Sequence, residues 1–255
     1  MYDCHAHIIG PAPHDPDWPH RTDPASLADY IAMLDANGIE KGVLVQPRAQ
    51  GFDNSLILDA IRDHPDRLRG VAVVAPDTNI ADLSDLHRAG IRGVRLGGKV
   101  PLDALQDMAP HLARAGLHVQ MLMRGDDIIT NADAIARAPV PVVIDHLAHP
   151  DPADGTQGKA FRTLCDLLGL GHVFAKLSAI YRYSAHPEWA DALPLQAALV
   201  DRYAPRLVWG SDWPFLNQPT PLPTTSGLLA ALEGIADRAA RTQIHDHVPR
   251  VLYGF

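Results

Sequence analysis

Two histidines, His5 and His7, stand one residue apart near the start of the chain. Near its end, Asp212 closes the run Arg206-Leu-Val-Trp-Gly-Ser-Asp. On extended backbone, residues i and i+2 point to one face, so the two imidazoles are presented together. Such a pair can hold a metal ion, donate hydrogen bonds to a carbonyl oxygen, or be two satisfied polar groups. A carboxylate among neutral and cationic groups in a cleft is a candidate general base; the same aspartate could instead cap a turn. His146 ends the run Val142-Val-Ile-Asp-His and joins them. Its neighbour Asp145 points, on strand alternation, to the other face, as a structural residue. The candidate catalytic set is therefore His5, His7, His146 and Asp212.

Cations form a second group. Arg95 and Arg182 could clamp a substrate carboxylate through paired N–H donors, or form surface ion pairs. Arg48, Lys99, Arg124, His149 and Tyr181 complete the candidate substrate-binding residues. Lys176 has an alternative, pairing with an acid in the interior. Trp213 and Pro214 shape a loop rather than react.

For these residues to meet, each must end a strand. Short apolar runs predict eight strands, over 2–5, 42–46, 70–74, 93–96, 118–123, 142–145, 173–177 and 207–209. Amphipathic stretches fall between them. One starts at Asp23-Pro24 and ends at Gly38; the next is capped by Asn54 and runs to His64-Pro65. Others cover 81–89, 102–115, 127–138, 157–168, 187–203 and 222–239, and a last helix covers 242–252. Eight strands each followed by a helix, with no linker between halves, predict an α/β fold: a single (β/α)8 TIM barrel over 1–255. An open doubly wound sheet is the alternative, weakened by the lack of Gly-x-Gly-x-x-Gly after the first strand. Catalytic groups of such barrels come from the C-terminal strand ends, where all the candidates lie. The Pro-rich loops 14–24 and 217–225 would border the same face.

Bulk properties narrow the classes. The 255 residues are 47% hydrophobic and 20% charged, an ordinary globular balance. A net charge of -8 argues against nucleic acid or anionic membrane as partner, though not against a small anionic substrate. The two cysteines, Cys4 in a predicted buried strand and Cys165 in a predicted helix, do not suggest a disulfide framework. The N-terminus enters a strand at once, and no apolar run approaches the roughly 18 residues a bilayer needs. A cytoplasmic protein, monomeric or homo-oligomeric, is the expectation.

The sequence resembles the amidohydrolase superfamily, within its amidohydrolase 2 or lactonase branch. The resemblance is carried, in order, by Asp3-Cys-His-Ala-His7, Val45-Gln46 with Gly51-x-Asp53-Asn54, Gly90-Ile-Arg-Gly-Val-Arg95, Val143-Ile-Asp-His146 with Pro150, and Trp209-Gly-Ser-Asp-Trp-Pro214. It implies a (β/α)8 barrel that hydrolyses a cyclic ester. It implies Asp212 as the base that activates water, with His5, His7 and His146 around the carbonyl oxygen. It implies Arg95 and Arg182 near a substrate carboxylate. The substrate expected is a carboxylate-bearing lactone of aromatic-pathway or sugar-acid origin. Alternatives are a zinc-dependent amidohydrolase or decarboxylase on the same barrel, a sugar-lactone isomerase, and a non-catalytic small-ligand binder. The pyrone-dicarboxylate lactonases of this branch carry a tyrosine near the end of strand 5, where this chain has Met121-Leu122-Met123. His149 and Lys99 stand where those enzymes carry arginines, and Arg48 and Arg124 are additional cations.

Members of the superfamily that hold one zinc add a third ligand from the middle strands. Here strand 5 ends in Leu122, Met123 and Arg124, which offer none, and a guanidinium opposes a cation. No cofactor is expected to be obligatory. One divalent zinc on His5, His7 and Asp212, with His146 or water, is the alternative.

Overall fold

The apolar runs form eight parallel strands: β1 Tyr2–Ala6, β2 Lys41–Val45, β3 Leu68–Ala72, β4 Ile91–Leu96, β5 His118–Met121, β6 Val142–Ile144, β7 Val173–Leu177 and β8 Leu207–Trp209. Each is hydrogen-bonded to the next in chain order. The computed structural model describes residues 1–11, 14–20, 22–216, 218 and 222–255. The loop candidates at residues 21, 217 and 219–221 lie outside the described residues.

The ends of the sheet meet just past β8. Asp212 N donates to His5 O at 2.8 Å and His7 N donates to Trp213 O at 2.8 Å. Asp3 staples this seam, its Oδ1 accepting from Ser211 N (2.9 Å) and its Oδ2 from Ser211 Oγ (2.6 Å). Gly210 permits the approach: a Cβ there would lie 2.5 Å from His5 Cβ and 2.8 Å from His5 N. The seam makes the sheet a nearly closed (β/α)8 barrel and excludes the open doubly wound sheet.

The helices between the strands are α1 Leu27–Ala36, α2 Ser55–Asp63, α3 Ile80–Arg88, α4 Leu105–Ala115, α5 Asp127–Ala136, α6 Lys159–Leu168, α7 Leu193–Tyr203 and α8 Thr225–Ile235, followed by α9 Arg238–Thr242 and α10 Val248–Tyr253. Their starts correct several expectations. Residue 25 bridges Ile9, which keeps Pro24 in extended chain, so α1 starts after Ser26. Ser26 Oγ caps it, accepting from Asp29 N. Asn54 precedes α2 but makes no cap bond; it bonds both backbone groups of Val73 instead, at 3.0 and 2.8 Å. The helix predicted over 187–203 is a 3₁₀ turn and then α7, because Glu188 and Trp189 adopt positive φ. The last predicted helix is a π-turn, Gln243–His247, leading into α10. Cys4 is buried, Cys165 is half-buried on α6, and both are free thiols. No helix among the described residues is long and apolar enough to cross a membrane.

The barrel interior is filled by Tyr2, Cys4, Val43, Val45, Val71 and Val208, closed from below by Val248 and Tyr253 of α10. His118 sits edge-on to Tyr253 in the same floor. Burial depresses the His118 imidazole to about 3, and that of His245 to about 4. An unfolded histidine titrates near 6.5, so below that pH the unfolded chain binds more protons than the folded one. Stability is therefore held above about pH 6.5 and lost as pH falls toward about 4. The two residues contribute a slope of up to about 2.7 kcal/mol per pH unit. Chemical unfolding at pH 7 and pH 5 should show the loss, and equal stability at both would refute this account of the floor.

Candidate active site

β1 aims the histidines through an irregularity. Asp3 pairs with Gly42 and Ala6 with Leu44, so β1 carries one extra residue between these points. The bulge lets Cys4 pack in the interior while His5 and His7 both turn toward the mouth. Their Nε2 atoms are 3.3 Å apart.

Asp212 closes the triangle. Its Oδ1 lies 3.5 Å from His7 Nε2, 3.6 Å from His5 Nε2 and 4.0 Å from His146 Nε2. Its Oδ2 accepts from Tyr181 OH at 2.6 Å and Arg182 Nε at 2.8 Å. The carboxyl is buried, which by itself would raise its pKa. The surrounding imidazoles and the Arg182 guanidinium outweigh that and hold it well below the usual carboxylate range. Asp212 has a φ of 59°, a left-handed backbone rare for a residue with a side chain.

β6 delivers two groups where one was expected. The strand stops at Ile144, and His146, Leu147, Ala148 and His149 all have φ between 49° and 61°. Strand alternation ends with the strand, so Asp145 does not face away as predicted. It enters the interior beside His146 and becomes the hub beneath His5. Its Oδ2 accepts from Arg95 Nε (3.0 Å) and Gln120 Nε2 (3.1 Å), and Arg95 Nη2 lies 3.0 Å away. Its Oδ1 is 3.2 Å from His5 Nδ1 and 3.6 Å from Lys176 Nζ. Lys176, fully buried, pairs with this interior acid and donates to Cys4 O at 2.8 Å and Gln120 Oε1 at 2.6 Å. Gln120 was missed in the sequence because a single glutamine on a buried strand carries no spacing signal.

The cavity above measures about 280 Å³ and is walled by His7, Arg95, His146, His149, Arg182 and Asp212, with Arg48 and Arg124 among its other lining residues. Arg95 and Arg182 are each committed to a buried carboxylate. Arg48 and Arg124 have no ion-pair partner among the described residues; Arg48 stacks on Trp18 at 5.4 Å. Lys99 binds Asp15 (2.9 Å) and Asp17 on the loop after β1. Tyr181 reaches Asp212 rather than the cavity wall, and His149 Nδ1 is 3.0 Å from Met123 O.

Hydrogen bonding assigns the tautomer each ring has in its neutral form. His7 Nδ1 is 2.7 Å from Val45 O, which only accepts, so Nδ1 carries the proton and Nε2 a lone pair. In the 3.3 Å contact His5 Nε2 must then be the donor. His5 Nδ1 is left with a lone pair, and Lys176 Nζ donates to it at 3.2 Å. Burial keeps the His5 ring neutral, its pKa depressed to about 3.

Two groups among the described residues could hold a metal: His5, His7 and Asp212, and His5, Asp145 and His146. Donors bound at 2.0–2.1 Å to a tetrahedral zinc stand about 3.3 Å apart. The separations of 3.3, 3.5 and 3.6 Å in the first group match that spacing.

The chain matches the family model described as amidohydrolase over residues 2–255. It is 32% identical to 4-sulfomuconolactone hydrolase of Rhizobium radiobacter, over 99% of this chain and 89% of that one. It is 30% identical to 2-pyrone-4,6-dicarboxylate hydrolase of Comamonas testosteroni, over 94% and 85% of the two chains. A probable 2-pyrone-4,6-dicarboxylic acid hydrolase from Acinetobacter baumannii, solved with citric acid bound, superposes with a TM-score of 0.89 at 29% identity, covering 100% of this chain and 99% of that one.

Proposed function

Since the chain belongs to the amidohydrolase family, we propose that it is a hydrolase that opens a lactone carrying an acidic group, with Asp212 as the base. The relatives that hydrolyse lactones support the reaction class. The observation that carries the reading is the division of Asp212. Its Oδ2 is held by Tyr181 and Arg182, while its Oδ1 faces His7 and His146 of the cavity wall and the buried His5.

When substrate enters, the His5–His7 hydrogen bond opens, and water bound between Asp212 Oδ1 and the freed His7 Nε2 lone pair loses its proton to Asp212 as it attacks the lactone carbonyl. The developing oxyanion takes hydrogen bonds from His5 Nε2 and His146. Asp212 then returns its proton to the departing ring oxygen. Because Asp212 is a weak base, this carbonyl polarisation must supply much of the driving force. His5, His7 and Asp212 would hold a divalent ion, which when bound supplies Lewis acidity and a more acidic water. In this reading the ion is not obligatory, because the buried Lys176 and Arg95 and the partly exposed Arg182 already place three positive charges around the histidines. Assay of a panel of aromatic-derived and sugar-acid lactones, with metal analysis of the same sample, tests the proposal. Failure to open any acidic lactone would overturn it, and product identification separates hydrolysis from ring migration.

The acidic group of the substrate is assigned to Arg48 and Arg124, the cavity guanidiniums with no carboxylate partner among the described residues. Arg48→Met and Arg124→Met should each raise KM for an acidic lactone about tenfold or more, as expected for loss of a charge-assisted hydrogen bond, with kcat nearly unchanged. A neutral lactone should show no such change. An equal loss on both substrates would remove the assignment.

A further inference from the structure

The hydrogen-bond chain beneath His5 has one place where it can be rewired. Asp145 Oδ2 is saturated by Arg95 and Gln120, but Asp145 Oδ1 is buried and has no hydrogen-bond partner among the described residues. A buried carboxylate oxygen without a donor is costly and calls for an explanation. This oxygen lies 3.2 Å from His5 Nδ1, the same distance as Lys176 Nζ on that nitrogen. One ring nitrogen thus faces a cationic donor and an anionic acceptor at once.

We infer that Lys176 and Asp145 Oδ1 form a two-position switch beneath His5, which turns its Nε2, the nitrogen that faces His7 and Asp212, from a hydrogen-bond donor into a metal ligand. In the first position Lys176 donates to Nδ1 and Nε2–H donates to His7 Nε2. In the second, Nδ1–H donates to Asp145 Oδ1, Lys176 turns its third proton to the same oxygen, and Nε2 offers a lone pair. One proton leaves Nε2 and one arrives at Nδ1, so the ring is neutral in both. The second position reproduces the carboxylate-histidine pairing that orients metal ligands. It also completes three converging lone pairs, from His5, His7 and Asp212, which are stable together only around a cation. The ammonium of Lys176 opposes that cation through the ring, so it favours the first position on two counts.

Lys176 is therefore a positioning residue that sets metal affinity without touching substrate. The switch does not depend on which ester is cleaved, and its test uses no turnover. In protein labelled with 15N-histidine and stripped of metal, two-bond 1H–15N correlation should show His5 protonated on Nε2. Adding Zn2+ should move that proton to Nδ1. Lys176→Met should show Nδ1–H even without metal and tighten Zn2+ binding at least tenfold, measured by competition with a chelating dye. Asp145→Asn should weaken it by a similar factor. A His5 ring already protonated on Nδ1 in the metal-free protein, or unmoved by Zn2+, overturns the inference whether or not either variant folds. Unchanged affinity in a folded Lys176→Met protein overturns it as well.

Discussion

Asp212→Asn is expected to lower kcat on an acidic lactone by about 10²–10⁴-fold, the range for loss of a positioned acid–base group. KM should change little, because the acidic group of the substrate is held elsewhere. The substitution is close to isosteric. The carboxamide oxygen can keep the bonds from Tyr181 OH and Arg182 Nε. Its NH2 then faces the cavity, where His7 Nε2 offers a lone pair. A purely structural role for Asp212 would thus survive in the variant, whereas a base would not. Its pH behaviour follows from the same contacts. The carboxyl is held well below its ordinary range, so the ionised form is present throughout pH 5–8 and no acidic limb from Asp212 should appear there. Initial rates by pH-stat, with thermal melting to confirm the fold, decide the matter. Activity within tenfold of the parent would remove Asp212 from the chemistry.

The sequence shows the outline of this site more readily than its wiring. His5-x-His7 is legible because extended backbone repeats every two residues, and the strand ends are legible because apolar runs stop there. The extra residue in β1 is not, since nothing in Asp3-Cys-His-Ala marks where the register with β2 slips. Asp145 was assigned to the wrong face for a similar reason. Alternation does not extend past Ile144, where β6 gives way to a run of left-handed backbone that only tertiary contacts can hold. The adjacent Asp145-His146 pair at a strand end is the signal that could have placed it. The start of α1 is not legible from local signals because the bridge between Ile9 and Ala25 is non-local. Charge is visible in sequence but its partner is not. Arg95 and Arg182 look as free as Arg48 and Arg124, and Lys99 looks like a cavity residue until Asp15 and Asp17 are seen against it.

Removal of the Asp145 carboxylate should be the most destabilising single change in the barrel. Asp145 and Lys176 are wholly buried, and Arg95 is 8% exposed. In Asp145→Ala both cations remain in the interior, and the remaining contacts of Lys176 with Gln120, Cys4 and His5 carry no negative charge. Breaking a buried ion pair from one side costs about 3–5 kcal/mol, a large part of the 5–15 kcal/mol that holds a typical domain. For a chain of this length that corresponds to a fall in Tm of about 6–20 °C. The cost lies in the stranded charges rather than in lost attraction, and a second substitution separates the two. Lys176→Met strands the carboxylate less severely, because Arg95 still covers Oδ2. Adding Lys176→Met to Asp145→Ala removes one stranded cation and should recover part of the loss. The double variant should therefore be more stable than the sum of the single effects allows, by more than about 1 kcal/mol. Urea unfolding of the four proteins measures that coupling. Simple additivity would mean that Asp145 stabilises the barrel through Arg95 alone and that the ammonium under His5 is solvated in some other way.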